Sequence, residues 1–83
     1  MNYINTYQIA QRALADLKSA IFILLTDAGE NGMTNAEIGR KLGIYHGHSG
    51  KHEGHISRAL LEIMNGEGVV IQDTSTKRWL IKK

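Results

Sequence analysis

Apolar residues in the first third of the chain recur at the spacing of an amphipathic helix. They fall at every third or fourth position, as Ala10, Ala13, Leu14, Leu17, Ile21, Leu24 and Ala28. This spacing places them on one stripe of a helix. Asn5 is a suitable N-cap, and Gly29 opens the turn-forming run GENG at 29–32. The pattern therefore predicts a first helix over about 6–28.

Two further helical patterns follow this turn. Thr34 stands three positions before Glu37, which is the spacing of a capping box, and Gly43 is suited to a left-handed helix exit. These signals predict a second helix over about 35–42. A third helix is predicted over about 51–64, with a buried stripe formed by Ile56, Ala59, Leu60 and Ile63.

The rest of the chain is rich in residues that favour strands. VVIQ at 69–72 and KRWLIKK at 77–83 flank the polar sequence DTST. This arrangement predicts a β-hairpin over about 69–82. Strand side chains alternate between the two faces, so we expect Trp79 and Ile81 to point the same way, with Trp79 in the core.

Composition favours one small globular domain. The chain has 83 residues, 42% of them hydrophobic and none of them cysteine, so we expect a single domain over 1–83 without disulfides. The longest apolar run, AIFILL at 20–25, is far shorter than the roughly 20 residues that span a membrane. No secretory signal is visible at the N-terminus. We therefore expect a cytoplasmic protein that does not enter the membrane.

Charge is distributed unevenly along the chain. Residues 1–37 carry a formal net charge of −2 and residues 38–83 carry +4, which together give +2. The positive charge collects on the part of the chain that contains the third helix and the hairpin, as binding to phosphates would require. The simpler alternative is a solvated surface with a mild charge asymmetry.

Three helices followed by a hairpin resemble the winged helix-turn-helix family. The residues that carry the resemblance are T-x-A-E-I-x-x-x-L-G-I at 34–44, I-S-R-A-L-L-E-I at 56–63 and W-x-I at 79–81. Similar domains bind DNA in many bacterial and archaeal repressors and in some restriction endonucleases. The resemblance implies an α+β, mainly α fold. In that family the third helix lies in the major groove, and the hairpin, or wing, touches the adjacent backbone or minor groove.

The resemblance also implies a set of DNA contacts. By position these are Lys51, His55, Ser57 and Arg58 on the third helix and Lys77 and Arg78 on the wing. Thr34, before the second helix, and Arg40, near its end, are further candidate DNA contacts. Arginine can form two parallel hydrogen bonds with a guanine edge. Arg40 also lies near a helix C-terminus, where the helix dipole favours a cation, so a structural role is equally well supported. The expected partner is double-stranded DNA, without a cofactor.

The entrance to the third helix departs from the family pattern. Gly43 and Ile56 are thirteen positions apart, whereas the usual separation is about seven. The added sequence contains His46, His48, His52 and His55, and four imidazoles could form a metal site. The simpler interpretation is that these histidines are polar loop residues, some of which contact DNA. A metal-responsive repressor remains an alternative.

Other function classes are less well supported. The nearby serines, histidines and carboxylates form no convincing catalytic arrangement, and so small a core has no room for a substrate cleft, so we do not expect an enzyme. The main hypothesis is a small transcriptional regulator, or the DNA-recognition domain of a larger nuclease. The alternative is a protein–protein interaction module. Phe22 and Ile23 flank the main stripe of the first helix and predict a homodimer through that helix.

Overall fold

The computed structural model describes residues 3–45 and 54–83, apart from the side chains of residues 3 and 4. Its elements are α1 (Tyr3–Ala28), a 3₁₀ turn (Gly29–Asn31), α2 (Asn35–Leu42), α3 (His55–Gly66), β1 (Val70–Gln72) and β2 (Trp79–Ile81). Three helices precede an antiparallel two-stranded hairpin, so the fold is α+β and mainly α, with a winged-helix-like layout. The predicted fold class is confirmed.

Within residues 3–45 and 54–83, no helix combines the length and the apolar character needed to cross a membrane.

The predicted helix limits agree with the structure to different degrees. The bounds of α2 agree fully. Its capping box is present, with the Glu37 N–H donating to Thr34 Oγ1 (3.2 Å) and the Thr34 N–H donating to Glu37 Oε1 (2.9 Å). Gly43 ends the helix in the left-handed conformation (φ 72°), as predicted. In contrast, α1 begins at Tyr3, so Asn5 lies inside the helix and is not its N-cap.

The core lies between one side of each helix and the hairpin; α1 and α3 pack against the hairpin, and α2 packs against the other two helices. The fully buried apolar side chains come from four elements and are Ile21, Leu25, Ile38, Leu61 and Val70. Leu60, Met64 and Trp79 complete the cluster. Trp79 is only 6% exposed, which confirms its predicted place in the core.

The predicted buried stripe of α3 is wrong by one residue. Ile56 and Ile63 are 48% and 43% exposed, and Ala59 is exposed as well. The buried positions are Ser57, Leu60, Leu61 and Met64, which repeat the same i, i+3, i+4, i+7 spacing one residue later. The helix also begins at His55 and not near residue 51. The cause of the shift is Ser57, a polar residue that occupies a buried position because its hydroxyl is hydrogen-bonded there.

A backbone bridge joins the hairpin to the segment between α1 and α2. The Trp79 N–H donates to the Met33 carbonyl (2.7 Å), and the Met33 N–H donates to the Trp79 carbonyl (3.0 Å). On the other side of β2, Trp79 is paired with Gln72 of β1. The second strand of the wing is therefore fixed on both edges, which holds the wing against the start of α2.

Ser57 joins α3 to the start of α2. Its hydroxyl donates to Asn35 Oδ1 (2.6 Å) and lies 3.2 Å from the Gly54 carbonyl oxygen. Asn35 Nδ2 donates to that same carbonyl (3.1 Å). The Gly54 N–H donates to the Tyr45 carbonyl (3.1 Å), so the two ends of the sequence between α2 and α3 are held together.

Removing the Ser57 hydroxyl tests this junction. We expect Ser57→Ala to lower the free energy of unfolding by about 1–3 kcal/mol, because it takes a hydrogen-bond partner from a buried site. Ser19→Ala, at an exposed position of α1, is the matched control and should change stability by no more than about 0.5 kcal/mol. Urea denaturation measures both variants. If Ser57→Ala were as stable as Ser19→Ala, the hydroxyl of Ser57 would contribute nothing to the free energy of unfolding.

Candidate functional site

An open groove lies between α3, the start of α2 and the wing. It has a volume of about 600 Å³. Its α3 side is lined by Arg58, Glu62 and Asn65, and its wing side includes Lys77. Thr34, Asn35 and Ala36 at the start of α2 are among the residues that close it. Two cations from separate elements thus line one groove, with a single carboxylate among its lining residues.

The first two turns of α3 present polar residues to solvent. His55, Arg58 and Glu62 are all exposed, and they lie three to four positions apart, so they occupy neighbouring places on one helix face. Ala59 is exposed beside them. The negative charge of Glu62 follows Arg58 by one turn, which confines the cationic part of the face to the beginning of the helix.

Close packing of backbone and aromatic ring fixes where α3 begins. Gly54 has φ 81°, and a Cβ at this position would lie 2.6 Å from Asn35 Nδ2 and 2.9 Å from Tyr45 Cε1. A Cβ at Gly39 in α2 would lie 2.9 Å from Tyr45 Cδ1 and 3.0 Å from Ser57 Oγ. Only glycine fits both positions without displacement of a neighbour. The direction of α3, and with it the position of Arg58, depends on this packing.

The structure corrects the role predicted for Ser57. The sequence interpretation placed this residue on the DNA-facing side of the third helix. Its side chain is instead fully buried and engaged with Asn35, so it cannot offer its hydroxyl to a ligand in this structure. Lys51, His46, His48 and His52 were also predicted as site residues, and they lie outside the described residues.

Two predicted DNA contacts, the N-cap of α2 and a residue near its end, already make local interactions. Thr34 caps the helix through its hydroxyl and also lines the groove. The Arg40 guanidinium carbon lies 4.6 Å from the centre of the Tyr45 ring, a cation–π contact at the end of α2. Arg40 is exposed. Its contact with Tyr45 supports the structural role that the sequence left open.

Arg78 joins the wing to the turn before α2. Its Nε donates to the Asn31 carbonyl (2.8 Å), and its Nη2 lies 3.4 Å from the Gly32 carbonyl. The same nitrogen donates to Glu37 Oε1 (3.2 Å). Three acceptors therefore occupy this guanidinium. Arg78 could make its predicted DNA contact only if these hydrogen bonds were broken.

Lys77 stands at the tip of the wing in an unusual backbone conformation. Its φ is 67°, the only positive value at a non-glycine residue among the described residues. A left-handed conformation costs an ordinary residue about 1–2 kcal/mol. The turn that imposes it is organised by Asp73, whose Oδ1 accepts from the Ser75 hydroxyl (2.7 Å) and whose carbonyl accepts from the Lys77 N–H (2.7 Å). The turn thereby fixes the backbone of Lys77, whose exposed side chain lines the groove.

Two carboxylates, one in α2 and one in the turn of the hairpin, have lowered pKa values. The hydrogen bond from the Thr34 N–H, helped by the positive charge of Arg78, lowers the pKa of Glu37 below its ordinary value of 4.5. The hydrogen bond from the Ser75 hydroxyl, together with backbone N–H groups of the turn, lowers the pKa of Asp73 below its ordinary value of 3.8. Both groups stabilise the fold in their ionised form.

Metal binding finds no support in the described part of the chain. There, no group of three or more His, Cys, Asp or Glu side chains is placed to hold an ion. His55 is the one candidate histidine within that part, at the first position of α3.

Sequence reasoning missed the residues that position the site. Asn35, Tyr45 and Gly54 were given no role at the junction, although they determine where α3 begins. The available signal was the pair Asn35 and Ser57, two short polar residues at places where each helix starts. Residues of this type commonly bond to nearby backbone and to one another.

Comparisons of the chain with protein-family models, curated proteins and solved structures found no match. Function is therefore inferred from the groove and the residues that line it.

Lowering the pH tests the two carboxylates. Since the pKa of each is lower in the folded state, their stabilisation is complete above the ordinary values and is lost as pH falls through the folded values. We expect the melting temperature to fall between pH 6 and pH ~3. The fall should be smaller in Glu37→Gln and Asp73→Asn, and smallest in the double variant. A double variant that matched the parent's pH dependence would contradict this account.

Proposed function

We propose that this protein is a double-stranded DNA-binding module of winged-helix type. The observation that carries the proposal is the groove in which Arg58 from α3 and Lys77 from the wing face the same space. A helix and a hairpin that offer cations on either side of an open groove fit a duplex, whose phosphates lie on both sides of the major groove.

The two cations would have different tasks. Arg58 lies on the exposed face of α3 beside Ala59, a small residue that lets the helix approach base edges. A guanidinium there can bond a guanine through O6 and N7. Lys77 at the wing tip suits a phosphate, which is bound without regard to sequence. His55, at the exposed start of α3, would add a polar contact.

Glu62 limits how the duplex can lie. Its exposed carboxylate would repel phosphate, so the DNA would meet the first turns of α3 and then pass towards the wing. Such a module suits a transcriptional regulator acting in the cytoplasm or the DNA-reading part of a larger nuclease. The groove supports both to the same degree.

A salt titration tests DNA binding directly. We expect a labelled random-sequence duplex to raise its fluorescence anisotropy with the protein at about 50 mM salt and to lose affinity steeply by about 200 mM, with log K falling by about 0.9 per phosphate contacted for each unit of log salt. Absence of binding at the lower salt concentration would overturn the proposal.

The role of Arg58 is tested on a duplex obtained by site selection. We expect Arg58→Ala to weaken binding to that duplex by about 1–3 kcal/mol and to relax the sequence preference. Arg12→Ala removes the same charge from an exposed position of α1, remote from the groove, and should have little effect. Equal losses in the two variants would indicate a general effect of charge and contradict base reading by Arg58.

The backbone conformation of Lys77 allows a test in which stability and affinity move apart. Because glycine adopts positive φ without strain, Lys77→Gly should leave the free energy of unfolding unchanged or raise it by up to about 1 kcal/mol. The same variant should bind DNA more weakly and reduce the salt slope by about 0.9. If stability rises while DNA affinity stays unchanged, Lys77 makes no phosphate contact.

A further inference from the structure

Glu62 supplies the carboxylate that lines the groove. It lies on the α3 side with Arg58 and Asn65, while Lys77 lies on the side of the wing. Glu62 and Arg58 are both exposed and stand four positions apart, so their side chains are neighbours on one face of the helix. The groove therefore presents a negative group to a ligand beside the two cations that suit DNA.

The Glu62 carboxylate makes no hydrogen bond or ion pair within the part of the chain that the structure describes. The ion pairs in that part are those of Lys18 and Arg78, each with another carboxylate. An arginine four positions before a glutamate is the less favourable order for a helical ion pair, which accounts for the lack of a contact with Arg58. The carboxylate is thus available to a ligand of the groove.

An ionised carboxylate can only accept hydrogen bonds, and this restricts what Glu62 can meet on a duplex. Phosphate carries a like charge, while guanine and thymine present acceptor atoms to the major groove. The donors there are the amino groups of cytosine (N4) and adenine (N6). In adenine the acceptor N7 lies next to the amino group and would face one carboxylate oxygen, so cytosine is the better partner.

The spacing of Arg58 and Glu62 fits two base pairs of one site. Four residues of an α-helix rise about 6 Å, whereas successive base pairs are about 3.4 Å apart. A helix that lies along the major groove would therefore place Glu62 about two base pairs from the pair that Arg58 contacts. Arg58 would bond a guanine through O6 and N7, and Glu62 would bond a cytosine through its amino group.

We propose that Glu62 is a specificity-determining residue, whose carboxylate accepts a hydrogen bond from the N4 amino group of a cytosine about two base pairs from the guanine that Arg58 contacts. This inference rests on the proposed DNA-binding function. A duplex without that cytosine leaves the carboxylate against an acceptor or near phosphate, which opposes binding. Glu62 thus lowers the affinity for most sequences and widens the difference between them and the correct one.

Glu62→Gln tests this role, because the amide keeps the shape of the side chain and removes its charge. Selection from random duplexes should give the parent chain a site with a cytosine about two base pairs from the guanine whose preference Arg58→Ala relaxes. Glutamine can form two hydrogen bonds with adenine, through N6 and N7. We therefore expect Glu62→Gln to select adenine in place of that cytosine.

Fluorescence anisotropy with four duplexes that differ only at this base pair measures the preference. At about 50 mM salt, the parent should bind the cytosine duplex at least about fivefold more tightly than each of the other three. Glu62→Gln should lose this preference. It should also bind a random-sequence duplex more tightly than the parent does, because a charge of the same sign as phosphate has been removed.

Asp16→Asn is the matched control, because it removes the same charge from an exposed position of α1 outside the lining of the groove. It should keep the cytosine preference of the parent, and circular dichroism should show both variants to be folded. Identical base preferences in the parent and in Glu62→Gln would overturn the inference and leave the proposed function standing. A parent that binds no duplex would overturn the proposed function, and this inference with it.

Discussion

The pair of hydrogen bonds between Met33 and Trp79 is the constraint on which the rest of this structure depends. It adds the short segment before α2 to the hairpin as a third, one-residue strand, while the Trp79 ring enters the core. One residue therefore joins the wing, the start of the second helix and the hydrophobic cluster. If this bridge opened, the hairpin would keep its own pairing but lose its backbone connection to the segment before α2.

The side chains around the groove fall into two groups: some connect the elements to one another, and others are exposed to solvent. Arg78, Glu37 and Thr34 connect the wing to the start of α2 through charge-assisted hydrogen bonds, while Asn35 and Ser57 connect α2 to α3. These residues determine the width of the groove, and their polar groups are hydrogen-bonded to one another. The groove cations, Arg58 and Lys77, extend from this framework into solvent. The side chains that position the groove are thus separate from the cations that are exposed in it.

The features that the sequence predicted correctly depend on interactions between residues a few positions apart. The limits of α2 follow from Thr34, Glu37 and Gly43, whose hydrogen-bond partners lie three or four positions away. The stripe of α3 could not be placed by hydrophobicity, because burial of Ser57 depends on Asn35, 22 residues earlier. For the same reason Arg78 was taken as a free cation, since its partners Asn31 and Glu37 lie more than 40 residues away in sequence. Contacts of this range are set by the fold.

The hydrogen bond from Gly54 to Tyr45 has a consequence for how such a protein can change over time. Because it closes the two ends of the intervening sequence on each other, the angle between α2 and α3 is set by residues on either side of that sequence. Insertions or deletions there need not alter the angle, since the cost of closing a loop grows only slowly with its length. Selection can then act on the histidine- and glycine-rich sequence independently of the framework, beside an unchanged helix.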